Sequence, residues 1–291
     1  MTWKSIWLLL RIPFSVFLLP VYLFSLWYAM NEIDAIDLST TLYAFLILHL
    51  LVYPASNGYN SLQDRDTGPI GGLRVPPPPP GQLRWVVLAM DVVALTVGLL
   101  LVHPVFFWGV LIYILASRAY SYRGIRLKRF PLTGFLVVFL FQGAWLFLVC
   151  LPAFGLMQID WQDLGVAMAA SFLIGAMYPL TQIYQHREDR ADHVETISMK
   201  LGLLGTFYFS AMCFLIGLII IGVYTYFADQ MIHWVILQLG LIPSIWFFIR
   251  WYFKVRTNPE AADFENTMRM NLLSSSGLTG AFIIDLILLV T

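Results

Sequence analysis

Nine apolar runs, each close to the length that crosses a bilayer, constrain this chain more than any other feature. A hydrocarbon core about 30 Å thick takes roughly 20 residues of helix. The runs fall near 12–30, 40–60, 84–102, 104–119, 133–152, 163–185, 203–226, 232–252 and 270–290. They are continuous, not alternating, so helices are expected and a lipid-facing barrel is not. Backbone polar groups in lipid must also be satisfied within the segment, as a helix does. The expected fold is therefore an all-α integral membrane protein, one domain over residues 1–291, with nine transmembrane helices in a bundle. Composition agrees: charged residues make up 12% of the chain, about half the usual share in soluble domains.

The charges between the runs supply an orientation. All 17 Lys and Arg fall before the first run or after even-numbered ones, from Lys4 and Arg11 through Arg65, Arg74 and Arg84 to Arg250 and Arg269. The alternate loops carry Glu32, Asp34, Asp37, Asp160, Asp163 and Asp229 and no cation. The positive-inside bias then predicts a cytoplasmic N-terminus, cytoplasmic long loops and a C-terminus on the opposite side. The first run lacks a small-residue cleavage site and reads as a retained helix. Net charge is zero, so no overall field points to nucleic acid. Cys150 and Cys213 lie inside apolar runs and read as packed thiols. Membrane lipid is the expected surrounding, and nothing indicates an obligate protein partner.

Two stretches repeat each other. Residues 53 to 65 read YPASNGYNSLQDR and residues 178 to 190 read YPLTQIYQHREDR, each at the end of an even-numbered run. In a helix, Tyr53, Asn57, Asn60 and Asp64 share one face, and so do Tyr178, Gln182, Gln185 and Asp189. Each helix thus presents a polar stripe ending in a carboxylate, which a membrane helix does not turn toward lipid. Interhelical hydrogen bonding is one reading of such amides. A matched pair of stripes followed by cation-rich loops favours a site. Two facing carboxylates suit a hard divalent cation, and magnesium takes one or two carboxylates while keeping waters and phosphate oxygens.

The arrangement resembles the UbiA superfamily of intramembrane prenyltransferases, which have nine helices and Asp-rich motifs after the second and sixth. Against the family's NxxxDxxxD, the segment NSLQDRDTG supplies Asn60 and Asp64 but has Gly68 at the last Asp position. Thr67-Gly68-Pro69 should end the helix, freeing Asp66 to turn toward the site. In QHREDRADHVETISMKLG, Gln185 stands at the first Asp position of the second motif and Asp189 at the second, followed by Thr196 and Leu201-Gly202. Glu188 and Asp192 are spare carboxylates nearby. The loop YSYRGIRLKRFP is similar to a third family segment through Tyr120, Ser121, Arg126 and Lys128.

The resemblance implies transfer of an isoprenyl group from an isoprenyl diphosphate to a lipophilic acceptor, aromatic or quinone-precursor, assisted by Mg2+. It implies Asp64 and Asp189 as catalytic carboxylates, with Asn60, Asp66 and Gln185 completing the metal set. Arg74, Arg126, Lys128 and Tyr120 are expected to hold the diphosphate. Tyr53, Asn57, Tyr178 and Gln182 are expected to line the cavity. The two missing carboxylates, at Gln185 and Gly68, should weaken the metal site or shift it toward Asp66, Glu188 and Asp192. A terpene cyclase of the same superfamily, a transporter and a non-catalytic lipid binder are the alternatives. His186 and His193 read as surface imidazoles, since no His/Cys set has zinc spacing. Asp91 and Asp285, inside runs three and nine, carry no assigned role. Gln142 lines the cavity or bonds a neighbouring helix. The five prolines at 76–80 read as a stiff strut back into the third helix.

Overall fold

A computed structural model describes residues 2–290. Among these residues there are nine helices long and apolar enough to cross a membrane, and no strand. They are α1 (Thr2–Glu32), α2 (Leu38–Asp64), α3 (Leu83–Leu101), α4 (Pro104–Ser121), α5 (Pro131–Phe154), α6 (Trp161–Ala191), α7 (Ile197–Phe227), α8 (Met231–Thr257) and α9 (Phe264–Val290). Each of the nine expected runs lies largely within one of these helices. The tight junction between the third and fourth runs is closed by His103, whose imidazole accepts from the Val105 amide at 3.1 Å and so caps α4.

Several helices depart from ideal geometry, and the departures shape the interior. In α1 the chain turns at Arg11, which is left-handed at φ 48°, and continues as a 3-10 segment over Ile12–Leu18 before the main helix. In α2 a wide π segment spans Ile47–Val52 just before Pro54. A proline there lacks an N–H and crowds the carbonyl four residues back, so the turn ahead of it opens. In α5 a second π segment spans Leu140–Trp145, with Gly143 outside helical geometry. The Ser171 hydroxyl on α6 accepts from the freed Ala144 amide at 2.8 Å. A side chain at Gly143 would run into the Ser171 backbone, so only glycine permits this approach.

α6 packs most extensively on α7, and α8 on α9. Gly240 and Gly277 bring the last pair close enough that a Cβ on Gly240 would lie 2.7 Å from the Gly277 carbonyl. The principal core joins α1, α2, α4, α5 and α6 through residues such as Phe24, Trp27, Leu48, Phe106, Phe147 and Phe154. At the end of the bundle away from the repeated stretches, polar groups satisfy one another. Tyr28 donates to Asp163 at 2.7 Å, Tyr224 to Glu32 at 2.8 Å, and Gln162 to Glu32 at 3.0 Å. The two intramembrane aspartates also find partners there or near the motif end: Asp285 pairs with His233 at 2.9 Å, and Asp91 with Arg118.

Candidate active site at the motif end of the bundle

The ends of α2 and α6 face one cavity of about 330 Å³. Both polar stripes line it in full: Tyr53, Asn57, Asn60 and Asp64 from α2, and Tyr178, Gln182, Gln185 and Asp189 from α6. Asp66, Tyr120 and Lys128 join them. Deeper walls are apolar, with Phe17, Phe24, Val138, Phe141 and Leu173 among them. The site is thus a polar mouth on an oily interior.

Hydrogen bonds lock the mouth. Asn60 donates to the Ser121 hydroxyl at 3.1 Å, tying α2 to α4. The hydroxyls of Tyr120 and Tyr178 lie 2.6 Å apart and join α4 to α6. Gln185 donates to the Pro69 carbonyl at 3.1 Å and holds the loop that follows the first stripe. Gln182 accepts from the Ser198 amide at 3.4 Å. Asn57 donates to the Leu10 carbonyl at 3.5 Å, so three of the four amides bond neighbouring backbone, and all four still line the cavity.

The carboxylates sit in contrasting fields. Asp64 is buried and ion-paired to Lys128 at 2.5 Å, with Arg126 at 3.6 Å. Its Oδ1 nonetheless has no hydrogen-bond partner. Burial, then the facing Asp64 carboxylate, raise Asp66 above the ordinary carboxylate range, while Lys128 and Arg11 pull it back. Asp189 shares its surroundings with Lys128, Asp66, Asp64 and Glu188. Asp192 is pushed up by burial, but Arg126 and Arg123 outweigh this and hold it below its ordinary value. Those two arginines engage it as ion pairs, so it is not a spare ligand.

Gly68 has a specific neighbour. A Cβ built there would lie 2.5 Å from a Glu188 carboxylate oxygen. The space beside the first stripe that an acidic residue at 68 would need is taken by an acid from the second stretch.

Asp64, Asp66 and Asp189, with the amides of Asn60 and Gln185, suit a hard divalent cation. The Oδ1 of Asp64 carries no hydrogen bond although its charge is paired with Lys128 and Arg126, and Asp66 is raised by burial and by Asp64. No three acidic, His or Cys side chains among the described residues converge closely enough to enclose an ion by themselves. Magnesium needs no closed protein cage, since it keeps waters and takes phosphate oxygens alongside one or two carboxylates.

Two expected cations fall differently. Arg74 is exposed, does not line the cavity, and pairs with Glu265 on α9 at 2.9 Å. Its displacement follows from the tight turn in which Ile70 and Leu73 exchange backbone hydrogen bonds, after which the chain leaves along the proline run. Arg126 is buried against Asp64 and Asp192 just behind the cavity wall and does not line it. Arg11 is the cation that the sequence reading passed over. It is buried, lines the cavity, donates to Gly71 O at 3.1 Å and Asn57 O at 3.4 Å, and keeps an unpartnered Nε. Counted only as a charge ahead of a hydrophobic run, it gave one usable signal, the Pro13 that follows and breaks regular helix. His186, expected at the surface, is half-buried and bonded to the Ser198 hydroxyl at 2.6 Å. Gln142 lines the cavity.

Comparison with known proteins bears on this geometry. A UbiA homologue from Archaeoglobus fulgidus, solved with DMAPP and Mg2+, matches at TM-score 0.70 and 16% identity, covering 99% of this chain and 100% of that one. The same homologue with GPP and Mg2+ matches at TM-score 0.70 and 17% identity over 96% and 99%. A structure of digeranylgeranylglyceryl phosphate synthase matches at 0.60 and 16% identity over 97% and 98%. At these identities the likeness establishes the fold. No curated protein matches the sequence. Residues 17–273 match the UbiA prenyltransferase family, so the nine-helix bundle with paired polar stripes belongs to that family.

Proposed function

We propose that this protein transfers an isoprenyl group from an isoprenyl diphosphate to a lipophilic acceptor, aromatic or quinone-precursor, with Mg2+ as its metal. The observation that carries the proposal is the single cavity joining two carboxylate-bearing helix ends to an apolar interior. Family membership and the solved relatives holding DMAPP, GPP and Mg2+ support it. The charge bias of the loops supports a cytoplasmic mouth, with the N-terminus on the same side and the C-terminus opposite.

Asp64, Asp66 and Asp189 would hold the metal with help from Asn60 and Gln185. Bound there, it would neutralise charge on the departing diphosphate. Lys128 and Arg11 face the same space and offer further positive charge, Lys128 as a point charge and Arg11 as a guanidinium. Arg126 acts behind them by balancing Asp64. The Tyr120–Tyr178 hydroxyl pair, already sharing one hydrogen bond, leaves one O–H to donate at the mouth. In the reaction the bond between C1 and the diphosphate oxygen breaks, and its electron pair leaves with pyrophosphate. An electron pair from the acceptor carbon forms the new bond to C1, and the acceptor then gives its displaced proton to water or pyrophosphate. The apolar walls exclude water from the allylic cation, and the rings of Phe14, Phe17 and Phe141 line its path.

The test is pyrophosphate release from isoprenyl diphosphates of several chain lengths, with and without acceptor, in purified protein supplied with Mg2+. Transfer predicts acceptor-dependent product. Release with no acceptor and a cyclic hydrocarbon would mark a cyclase instead. Neither release nor binding at any chain length would remove both enzymatic readings.

A further inference from the structure

The two carboxylate-bearing helix ends are held at the cavity by different means. The end of α2 is packed, with Ala55, Gly58, Ser61 and Asp64 buried. The last part of α6, His186–Ala191, buries none of its six residues. Packing therefore does little to fix where Asp189 lies, and polar ties must do it instead. Two of these act at the start of the segment: Gln185 on the Pro69 carbonyl at 3.1 Å and His186 on the Ser198 hydroxyl at 2.6 Å. After Asp189 the chain turns back on itself. The Asp192 amide donates to the Glu188 carbonyl at 3.0 Å, and the Val194 amide to the Asp189 carbonyl at 2.8 Å. Whatever holds Asp192 thus also holds Asp189.

Arg123, in the loop between α4 and α5, reaches both ends at once. Its Nε donates to the Gln63 carbonyl at 2.6 Å and its Nη2 to the Asp64 carbonyl at 3.3 Å, so it caps the last turn of α2. Its backbone amide donates to the Gln63 side-chain oxygen at 3.3 Å. The same guanidinium meets both Asp192 carboxylate oxygens, Nη1 and Nη2 each at 3.3 Å. A planar fork can serve a carboxylate and neighbouring carbonyls together, which the point charge of a lysine cannot. Arg126 reinforces the link: it pairs with the Asp192 carboxylate, donates to the Asp192 carbonyl at 3.3 Å, and faces Asp64 at 3.6 Å.

We propose that Arg123 and Asp192 are a positioning pair that sets the gap between Asp64 and Asp189, and through it the affinity of the site for Mg2+ with diphosphate. The proposal rests on the transfer reading above, since the gap matters only if the two carboxylates serve one metal-diphosphate. Neither residue lines the cavity, so both act through the carboxylates they hold. Their side chains are 48% and 36% exposed, and an exposed pair adds little to overall stability. Its effect is local, because the segment it restrains has few buried contacts of its own. Charge and position make opposite predictions for Arg123. Removing a cation beside the site would by charge alone strengthen Mg2+ binding, whereas losing the link weakens it.

Mg2+ titration of thiolodiphosphate binding tests the pair, using a non-hydrolysable isoprenyl analogue and the full chain in lipid nanodiscs. Arg123→Gln should raise the half-saturating Mg2+ concentration about threefold, the scale of an exposed ion pair, and keep the wild-type melting temperature. Asp192→Asn also releases the buried Arg126 and should raise it about tenfold, the scale of a charged hydrogen bond. The double variant should match Asp192→Asn, because Arg123 has no Asp192 charge left to lose. Hydrogen exchange without metal gives an independent readout: amides of residues 186–194 should exchange faster in every variant. Tighter Mg2+ binding in Arg123→Gln, fully additive losses in the double variant, or unchanged exchange would overturn the pair. A lower melting temperature with unmoved Mg2+ dependence would mark a merely structural contact. Wild-type binding that is absent or ignores Mg2+ would remove the transfer reading and this role with it, whereas Mg2+-dependent wild-type binding with unaltered variants would remove the role alone.

Discussion

The two repeated stretches begin alike and end differently. From Tyr53 the first continues as one α-helix to Asp64, stops on a left-handed Arg65 at φ 54°, and buries its carboxylate against Lys128 and Arg126. From Tyr178 the second loses regular helix, passes through a 3-10 turn at Ile183–Gln185, and resumes as the short segment His186–Ala191. Its Asp189 faces three other acids, with Lys128 as the compensating cation. One stretch therefore presents a carboxylate whose charge the protein largely balances, and the other presents one whose charge it leaves for something else to balance. Matching sequence gave matching faces, while the loops around each face gave different electrostatics.

The largest effects should come from removing either carboxylate. Asp64→Ala and Asp189→Ala should each reduce turnover about a thousandfold, the scale seen when a principal transition-state stabiliser is lost. Stability should separate them. Asp64→Ala leaves Lys128, at a side-chain exposure of 13%, without its ion-pair partner, while Arg126 keeps Asp192, and should destabilise by about 3 kcal/mol. Asp189→Ala relieves repulsion among Asp66, Asp64 and Glu188 and should keep or raise the melting temperature. Equal melting losses in the two variants would erase the distinction drawn here.

Next in size is Arg11→Ala, which removes a cavity-lining cation and its hold on Gly71 and Asn57. Its KM for isoprenyl diphosphate should rise about tenfold or more, the scale of a charged hydrogen bond. Gln185→Ala releases the Pro69 carbonyl, so the loop after the first stretch loses its tether to the second. A KM increase of roughly threefold, with kcat less affected, is the expected signature of one neutral hydrogen bond. Smallest is Arg74→Ala, which breaks an exposed pair with Glu265 and should leave KM within about twofold. A large Arg74 effect with a silent Arg11 would reverse their assignments.

Much of this was legible in sequence. The spans follow from run length, and the two stripes follow from helical spacing, because both depend on residues close together in the chain. All eight stripe residues reached the cavity. The cations were harder, since their positions depend on backbone departures without a strong local code. Arg11 is turned inward by one left-handed residue, and Arg74 outward by a turn between Ile70 and Leu73. Compensation across the repeat was likewise invisible: Gly68 reads as a lost acid until Glu188 is seen filling its side.

The claim that the paired helix ends form one metal-dependent diphosphate site is tested most directly by binding without turnover. Titration of a non-hydrolysable isoprenyl thiolodiphosphate, with and without Mg2+, should show tight binding only with the metal in the wild type. That metal dependence should vanish in both Asp64→Asn and Asp189→Asn. Binding that ignores Mg2+, or that survives unchanged in either variant, would contradict the account.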